Sequence, residues 1–149
     1  MQRKIWKYIA AVPGVVLVIP FAVAHDHAIG VVKERMEMME AMAKRVKAIG
    51  NQIKNKQDIA IIKREAVALQ ALTPHLVHLF PPGSTQPPTD ASAAIWKNWP
   101  DFEAKAKALE GVSARLADAS EANIAELTSR LRAVSQSCGG CHELYRVKR

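Results

Sequence analysis

The two cysteines of the chain, Cys138 and Cys141, lie three residues apart and are followed directly by His142. A C-x-x-C-H sequence is the attachment signature of c-type haem, in which two thiols form thioethers with the vinyl groups and the imidazole binds the iron. On a helix, residues three and four positions apart share a face, so all three side chains can reach one cofactor. The motif therefore predicts one covalently bound haem c with His142 as the proximal iron ligand.

Three other uses of the cysteine pair fit less well. A disulfide between Cys138 and Cys141 is open to the chain in an oxidising compartment, but a helix holds such a pair in poor bonding geometry. A thioredoxin-like redox pair belongs to a βαβ unit, and the chain shows no such pattern. A tetrahedral zinc ion needs more ligands than two cysteines and one adjacent histidine.

The last of four predicted amphipathic helices carries the motif. Its apolar residues recur in alternating steps of three and four from Ile124 to Tyr145, and Cys138 and Cys141 fall on this stripe. The spacing predicts one buried helix face, with Ser120 as the cap at the N-terminal end. Both cysteines are therefore expected to face the interior, where a macrocycle can lie between helices.

Three further helices are expected over about residues 26–49, 57–80 and 100–117. Gly50 and Asn51 form a stop signal for the first, and Pro74 is expected to kink the second because it lacks a backbone donor. Prolines make residues 81–90 a surface loop, and a short segment at residues 94–96 leads into the third helix. Four such helices predict an all-α fold, an antiparallel four-helix bundle with haem bound near the C-terminal helix.

The composition fits one helical domain. Of 149 residues, 49% are hydrophobic and 23% are charged, which argues against a disordered chain and a polytopic membrane protein. Only 5% are aromatic, which disfavours an all-β fold. The formal charge is +7, from 21 basic and 14 acidic residues. Basic and acidic side chains are interleaved instead of forming a basic stripe, which argues against nucleic-acid binding.

The N-terminus has the three parts of an export signal. Basic residues are followed by an apolar run over residues 8–21 and by a small-x-small tripeptide that ends at Ala24. The pattern predicts a signal peptide over residues 1–24, cleaved before His25, and one periplasmic cytochrome domain over residues 25–149. An uncleaved anchor is the alternative, but two prolines interrupt the run and it is short for a span of about 20 residues.

An exported four-helix pattern with a single C-x-x-C-H almost at the C-terminus resembles the cytochrome c′ family, including its low-spin, methionine-ligated relatives. The resemblance covers nearly the whole chain after the signal. It is carried by residues 138–146, by residues 33–35 with Met39, and more weakly by residues 79–81 and 95–96. Ordinary cytochromes c place the motif near the N-terminus instead.

The resemblance also implies roles for two arginines and a set of partners. Arg35 matches an arginine near the haem propionates, and Arg146 matches a basic residue close to the proximal histidine. A guanidinium can pair with a carboxylate in either place. The implied partners are the haem-attachment machinery, redox partner proteins, small gases and a second copy of the chain that docks through the first two helices.

Met39 separates two branches of that family. In five-coordinate members an apolar side chain at this position crowds the distal face and leaves the iron open to gases, whereas in low-spin relatives a methionine binds the iron. The methionine here favours axial ligation by His142 and Met39, with Met36 as the next candidate, although methionine is also a common core residue. His75 and His78 are less favoured as iron ligands.

The chain contains no nucleophile and base pair, no paired carboxylates and no phosphate-binding loop, so enzyme chemistry is not expected. The leading hypothesis is a periplasmic electron carrier that cycles between ferric and ferrous iron. The alternative is a five-coordinate, cytochrome c′-type binder of nitric oxide or carbon monoxide.

Overall fold

The computed structural model describes residues 28–55, 58–118 and 123–148. The predicted signal peptide, its cleavage site before His25 and the predicted helix cap Ser120 lie outside these ranges. The described part of the chain is built from helices, and its extended pairing is one isolated bridge between Ala91 and Arg146. Within the same ranges, no helix has both the length and the apolar character that a membrane crossing requires.

Four long helices form the body of the protein. They are α1 (Gly30–Lys54), α2 (Ile59–Leu72), α4 (Trp99–Ala117) and α5 (Ile124–Tyr145), and the one-turn helix α3 (Ala94–Lys97) precedes α4. Around the bundle, α1 packs against α2, α2 against α4 and α4 against α5, and α5 closes the ring against α1. This arrangement confirms the predicted antiparallel four-helix bundle.

Helix α1 continues past the predicted stop at Gly50 and Asn51 and ends at Lys54. Ile49 is fully buried and Ile53 packs against the core, so the additional turn covers apolar surface. A glycine inside a helix costs about 1 kcal/mol, and the partial burial of Ile53 offsets that cost, since complete burial of an isoleucine contributes about 1.5–3 kcal/mol. The predicted end at Ile49 is therefore wrong because tertiary burial outweighs the local preference of glycine.

Helix α2 ends at Leu72, two residues before Pro74. The chain then continues in two 3₁₀ turns, Thr73–His75 and Val77–Leu79. The expectation of one kinked helix that reaches Phe80 is thus wrong, because the proline, which offers no backbone N–H, starts a tighter turn instead of a bend.

The proline-rich loop at residues 81–90 closes one end of the bundle. Gly83 has a φ of +79°, a left-handed conformation that favours glycine. The indole Nε1 of Trp96 donates a 3.0 Å hydrogen bond to the carbonyl of Phe80. The Phe80 ring meets the ring of Phe102 edge-on at 4.8 Å. Through Phe80, these contacts join the beginning of the loop to α3 and to the first turn of α4.

Helix α5 begins three residues later than a Ser120 cap would place it. The side chain of Asn123 accepts a 3.0 Å hydrogen bond from the backbone N–H of Glu126 and caps the helix. Leu127, Val134 and Tyr145 are buried along one side, which follows the predicted stripe. The helix therefore presents the C-x-x-C-H motif near its C-terminal end, on the side that meets the bundle.

Candidate functional site

An apolar cavity of about 360 Å³ lies among the four long helices. Its size falls within the range of about 300–1,000 Å³ that small-molecule and cofactor sites occupy. The apolar wall is formed by Met39, Met42, Ala43, Val46, Leu69, Leu76, Ala106 and Leu109. The C-x-x-C-H motif borders the same cavity from α5 through Cys138, Cys141 and His142. The bundle thus brings the predicted attachment motif to a large apolar cavity.

The two thiols of the motif are free and half-buried. Burial raises the pKa of Cys138, and it also raises the pKa of Cys141, where the positive charge of Lys105 partly offsets the effect. Both sulfurs are therefore neutral thiols at neutral pH. They lie one helical turn apart at the wall of one cavity, and no disulfide joins them in this structure.

His142 lies between the apolar cavity and a more open, polar pocket on the protein surface. Partial burial lowers its pKa, and the charge of Arg146 lowers it further. A lowered pKa leaves the imidazole unprotonated at neutral pH, which is the form that binds metals. The polar pocket is lined by Asp90, His142, Arg146, Val147 and Lys148.

Helix α1 brings two methionines to the cavity, Met39 and Met42. Met42 is the more buried of the two, whereas Met39 is half-buried. Met36, the second candidate ligand from the sequence, lies a turn closer to the N-terminal end of α1 and is not among the lining residues. The α1 wall of the cavity therefore carries two thioethers, those of Met39 and Met42. The i, i+3 spacing of Met42 from Met39 was the sequence signal that could have indicated Met42 as a lining residue.

Arg35 is buried and holds the proline-rich loop against α1. Its Nε donates a hydrogen bond to the carbonyl of Leu79 at 2.9 Å, and its Nη1 donates to the carbonyl of Ser84 at 3.1 Å and to Oγ1 of Thr89 at 2.8 Å. Its Nη2 donates to Oγ of Ser84, and the guanidinium lies 4.3 Å from the centre of the Phe80 ring. Burial lowers the pKa of Arg35. The side chain is not among the residues that line the cavity, although the resemblance implies a place near the haem propionates.

Arg146 lies in the polar pocket beside His142. Its Nη2 donates a 3.2 Å hydrogen bond to Oδ2 of Asp90. The backbone reinforces this contact, since the N–H of Val147 donates to the carbonyl of Asp90 at 2.8 Å. Arg146 thus has the neighbour that the resemblance implies, and it also ties the C-terminal segment to the end of the loop.

A network that the sequence did not reveal extends from α5 to α4. The hydroxyl of Tyr145 donates a 2.6 Å hydrogen bond to Oδ2 of Asp101, which raises the pKa of Tyr145 to about 12. Asp101 also forms an ion pair with Lys105 at 3.9 Å, and Lys105 lines the cavity. The i, i+4 spacing of Asp101 and Lys105 was the available signal, but only the fold shows that Tyr145 meets them.

The residues around the cavity fit a covalently attached haem. Two free thiols on one helix face suit two thioether bonds, an unprotonated imidazole suits the iron, and apolar walls suit the macrocycle. By themselves, the described His, Cys, Asp and Glu side chains form no group of three that could hold a metal ion, as the zinc alternative requires. His75 and His78 are exposed and do not line the cavity.

The sequence matches known haem proteins over most of its length. The family model described as Cytochrome C' matches residues 30–146. Cytochrome c-556 of Agrobacterium tumefaciens is 28% identical over 122 residues, which cover 80% of this chain and 99% of that protein. Cytochrome c' of Rhodospirillum rubrum is 30% identical over 121 residues, which cover 78% of this chain and 81% of that protein.

Solved structures share the bundle. Cytochrome c prime from Shewanella frigidimarina superposes with a TM-score of 0.74 at 26% identity and covers 79% of this chain and 94% of that one. A ferrous variant of cytochrome c prime from Alcaligenes xylosoxidans with bound NO has a TM-score of 0.73 at 27% identity, over 80% of this chain and 94% of that one. Since the family match spans almost all of the described helices, the chain belongs to the cytochrome c′ family, a family that carries covalently bound haem c.

Proposed function

We propose that the protein is a periplasmic haem protein that binds a diatomic gas, nitric oxide or carbon monoxide. The observation that carries the proposal is the apolar cavity, which is lined both by α1 and by the C-x-x-C-H motif on α5. Cytochrome c prime from Alcaligenes xylosoxidans has been solved as a nitric oxide complex, at 27–28% identity to this chain. These findings support the gas-binding alternative better than the electron carrier that the sequence favoured.

Three residues of α5 are assigned to hold the cofactor. Cys138 and Cys141 supply the sulfurs for the two thioether bonds, and His142 supplies the imidazole on the proximal side. Haem supplies, when bound, an iron that coordinates a diatomic gas and exchanges one electron. Arg146 acts behind His142, where its positive charge favours the unprotonated imidazole.

The α1 wall of the cavity would determine what reaches the distal side. Met39, Met42, Ala43 and Val46 present alkyl and thioether groups there. Water and anions lose hydrogen bonds on entering such a space, whereas a small apolar gas loses almost none. The wall therefore favours nitric oxide and carbon monoxide over polar ligands, and the bulk of the two methionines limits the size of the ligand.

Electron transfer with His142 and Met39 as axial ligands is the second candidate. It is favoured by one observation, the position of Met39 at the cavity wall. A neutral, soft thioether stabilises ferrous over ferric iron and keeps the iron low-spin, which suits an electron carrier. In this case the cavity would be closed to gases until the methionine moves away.

Carbon monoxide binding to the ferrous holoprotein separates the two functions. For a gas binder, the wild-type protein binds carbon monoxide at once, and Met39→Ala speeds association only by relieving crowding. Met36→Ala is the matched control, because Met36 is a half-buried methionine of the same helix that does not line the cavity. A wild-type protein that stays unreactive while Met39→Ala binds carbon monoxide would overturn the proposal and establish the electron carrier.

The protein is further proposed to be exported to the periplasm and to form a homodimer. Residues 1–24 are proposed to direct export, after which the haem-attachment machinery joins haem to Cys138 and Cys141 in the periplasm. A homodimer through α1 and α2 is also proposed. Its support is that α2 leaves Ile59 and Val67 exposed, with 42% and 49% of their surface accessible.

A further inference from the structure

The polar pocket beside the cavity contains a pair of opposite charges next to the assigned proximal histidine. Nη2 of Arg146 donates a 3.2 Å hydrogen bond to Oδ2 of Asp90, and both residues line this pocket together with His142. Among the described residues that line the pocket, Asp90 carries the one negative charge. The carboxylate therefore lies where it can affect the surroundings of the imidazole.

The side chain of Arg146 needs an acceptor to stay in this pocket. Its backbone is fixed by α5, since its N–H donates to the carbonyl of His142 at 3.1 Å. Its side chain, however, is 58% exposed, and a long arginine stem with its charged end in water has many rotamers. The carboxylate of Asp90 offers a charge-assisted hydrogen bond, which is roughly twice as strong as a neutral one. The place of the guanidinium beside His142 thus depends on Asp90.

Asp90 is itself well anchored. Oγ1 of Thr89, the residue before it, accepts a 2.8 Å hydrogen bond from Nη1 of the buried Arg35. Ala91, the residue after it, forms the isolated bridge with Arg146. The side chain of Asp90 is 24% exposed, much less than that of its arginine partner. The loop therefore presents the carboxylate in a fixed position, which an acceptor that orients a flexible side chain requires.

We infer that Asp90 is a positioning residue for the proximal side of the haem, where its carboxylate holds the guanidinium of Arg146 beside His142. The positive charge of Arg146 acts on the imidazole and lowers its pKa. The same charge opposes the additional positive charge of ferric iron. The inference rests on the proposed attachment of haem at Cys138 and Cys141 with His142 as the proximal ligand. It does not depend on which ligand binds the distal side.

The sign of the change in reduction potential separates positioning from a direct effect of the Asp90 charge. If Asp90 acts through Arg146, its removal lets the guanidinium turn into solvent, ferric iron loses a repelling charge, and the potential falls. If Asp90 acts by its own charge, its removal leaves the charge of Arg146 uncompensated, and the potential rises. Because the pair is partly exposed, water screens the effect, and we expect a change of up to about fivefold in the ratio of ferrous to ferric protein at a fixed potential.

Spectroelectrochemistry of holoproteins at fixed pH and low ionic strength measures this potential. Asp90→Ala removes the acceptor but keeps the backbone carbonyl, to which the N–H of Val147 donates at 2.8 Å, so the C-terminal segment stays tied to the loop. Asp90→Ala, Arg146→Gln and the double variant form a cycle that isolates the coupling between the two side chains. Glu126→Gln is the matched control, because it removes a carboxylate that pairs with Arg130 of α5 and lines neither the cavity nor the polar pocket.

We expect Asp90→Ala and Arg146→Gln to lower the potential, the double variant to match Arg146→Gln, and Glu126→Gln to leave the potential unchanged. Asp90→Asn should lower it less than Asp90→Ala, because the amide oxygen still accepts a hydrogen bond from the guanidinium. Urea unfolding of the same variants measures how far the pair also stabilises the fold, which is separate from its effect on the iron.

A rise in the potential of Asp90→Ala, or the same change with and without Arg146, would overturn the inference and show that Asp90 acts by its own charge. An unchanged potential in Asp90→Ala with a lower urea midpoint would also overturn it and leave the carboxylate a purely structural contact. Carbon monoxide binding is measured separately, so failure of the gas-binding proposal leaves this test intact.

Discussion

Replacing Arg35 with leucine should destabilise the folded protein by about 2–4 kcal/mol, because the substitution leaves buried loop acceptors without donors. Two of the four hydrogen bonds of Arg35, those to the carbonyl and the hydroxyl of Ser84, are buried. Each buried acceptor that loses its partner costs about 1–3 kcal/mol. The other two acceptors, on Leu79 and Thr89, are partly buried and can regain water when the loop shifts.

Removing the guanidinium also has a smaller, stabilising effect. Burial lowers the pKa of Arg35, which shows that the guanidinium itself is held at a cost, and leucine removes that cost. The net loss is still a large part of the 5–15 kcal/mol that typically stabilises a domain. At roughly 4 °C per kcal/mol for a domain of this length, Tm should fall by roughly 8–16 °C.

Urea unfolding of the holoprotein, followed by far-ultraviolet circular dichroism, measures the change in the free energy of global unfolding. Hydrogen exchange at residues 79–89 measures the loss of local stability in the loop. Lys33→Leu is the matched control, since Lys33 lies on the same helix in an exposed pair with Glu37 at 3.8 Å. Arg35→Leu should unfold at a lower urea concentration than Lys33→Leu, with faster exchange in the loop. Equal midpoints and equal exchange would refute the role of Arg35 in holding the loop.

Three further predictions concern attachment, export and pH. Haem should remain on the chain through acid-acetone extraction, and Cys138→Ala should weaken its attachment; release of haem from the wild-type protein would contradict thioether bonding. Mass spectrometry of the mature protein should find His25 at or near the N-terminus, whereas an intact first residue would favour the anchor. Because Asp101 raises the pKa of Tyr145 from 10.0 to about 12, the hydrogen bond should stabilise the fold fully below pH 10 and lose its effect as the pH rises to about 12. Urea midpoints of the wild-type protein should fall over that pH range, and those of Tyr145→Phe should fall less; parallel curves would exclude this linkage.

The attachment motif and the helices could be predicted because both are local in sequence. The spacing of Cys138, Cys141 and His142 carries its chemistry within five residues, and the family resemblance that it supports is confirmed by the match over residues 30–146. The bundle could be predicted because the spacing of apolar residues within each helix indicates which face of that helix is buried. Neither inference needs the relative placement of distant segments.

The remaining features depend on contacts between distant residues. The continuation of α1 through Gly50 depends on the core that buries Ile49 and that Ile53 packs against. Arg35 meets acceptors that lie 44 to 54 residues away along the chain, so helix periodicity carries no signal for them. Which methionines of α1 reach the cavity, Met39 and Met42 but not Met36, likewise depends on where the cavity ends along α1, which is a property of the assembled bundle.

The absorption spectrum of the reduced protein, recorded before and after addition of carbon monoxide, tests the central claim most directly. A cavity that is open on the distal side predicts a broad high-spin visible spectrum that carbon monoxide converts, at one molecule per chain, to sharp bands. Sharp, split visible bands in the reduced protein that carbon monoxide leaves unchanged, together with a weak far-red sulfur-to-iron band in the oxidised protein, would contradict gas binding and identify Met39 as the sixth ligand.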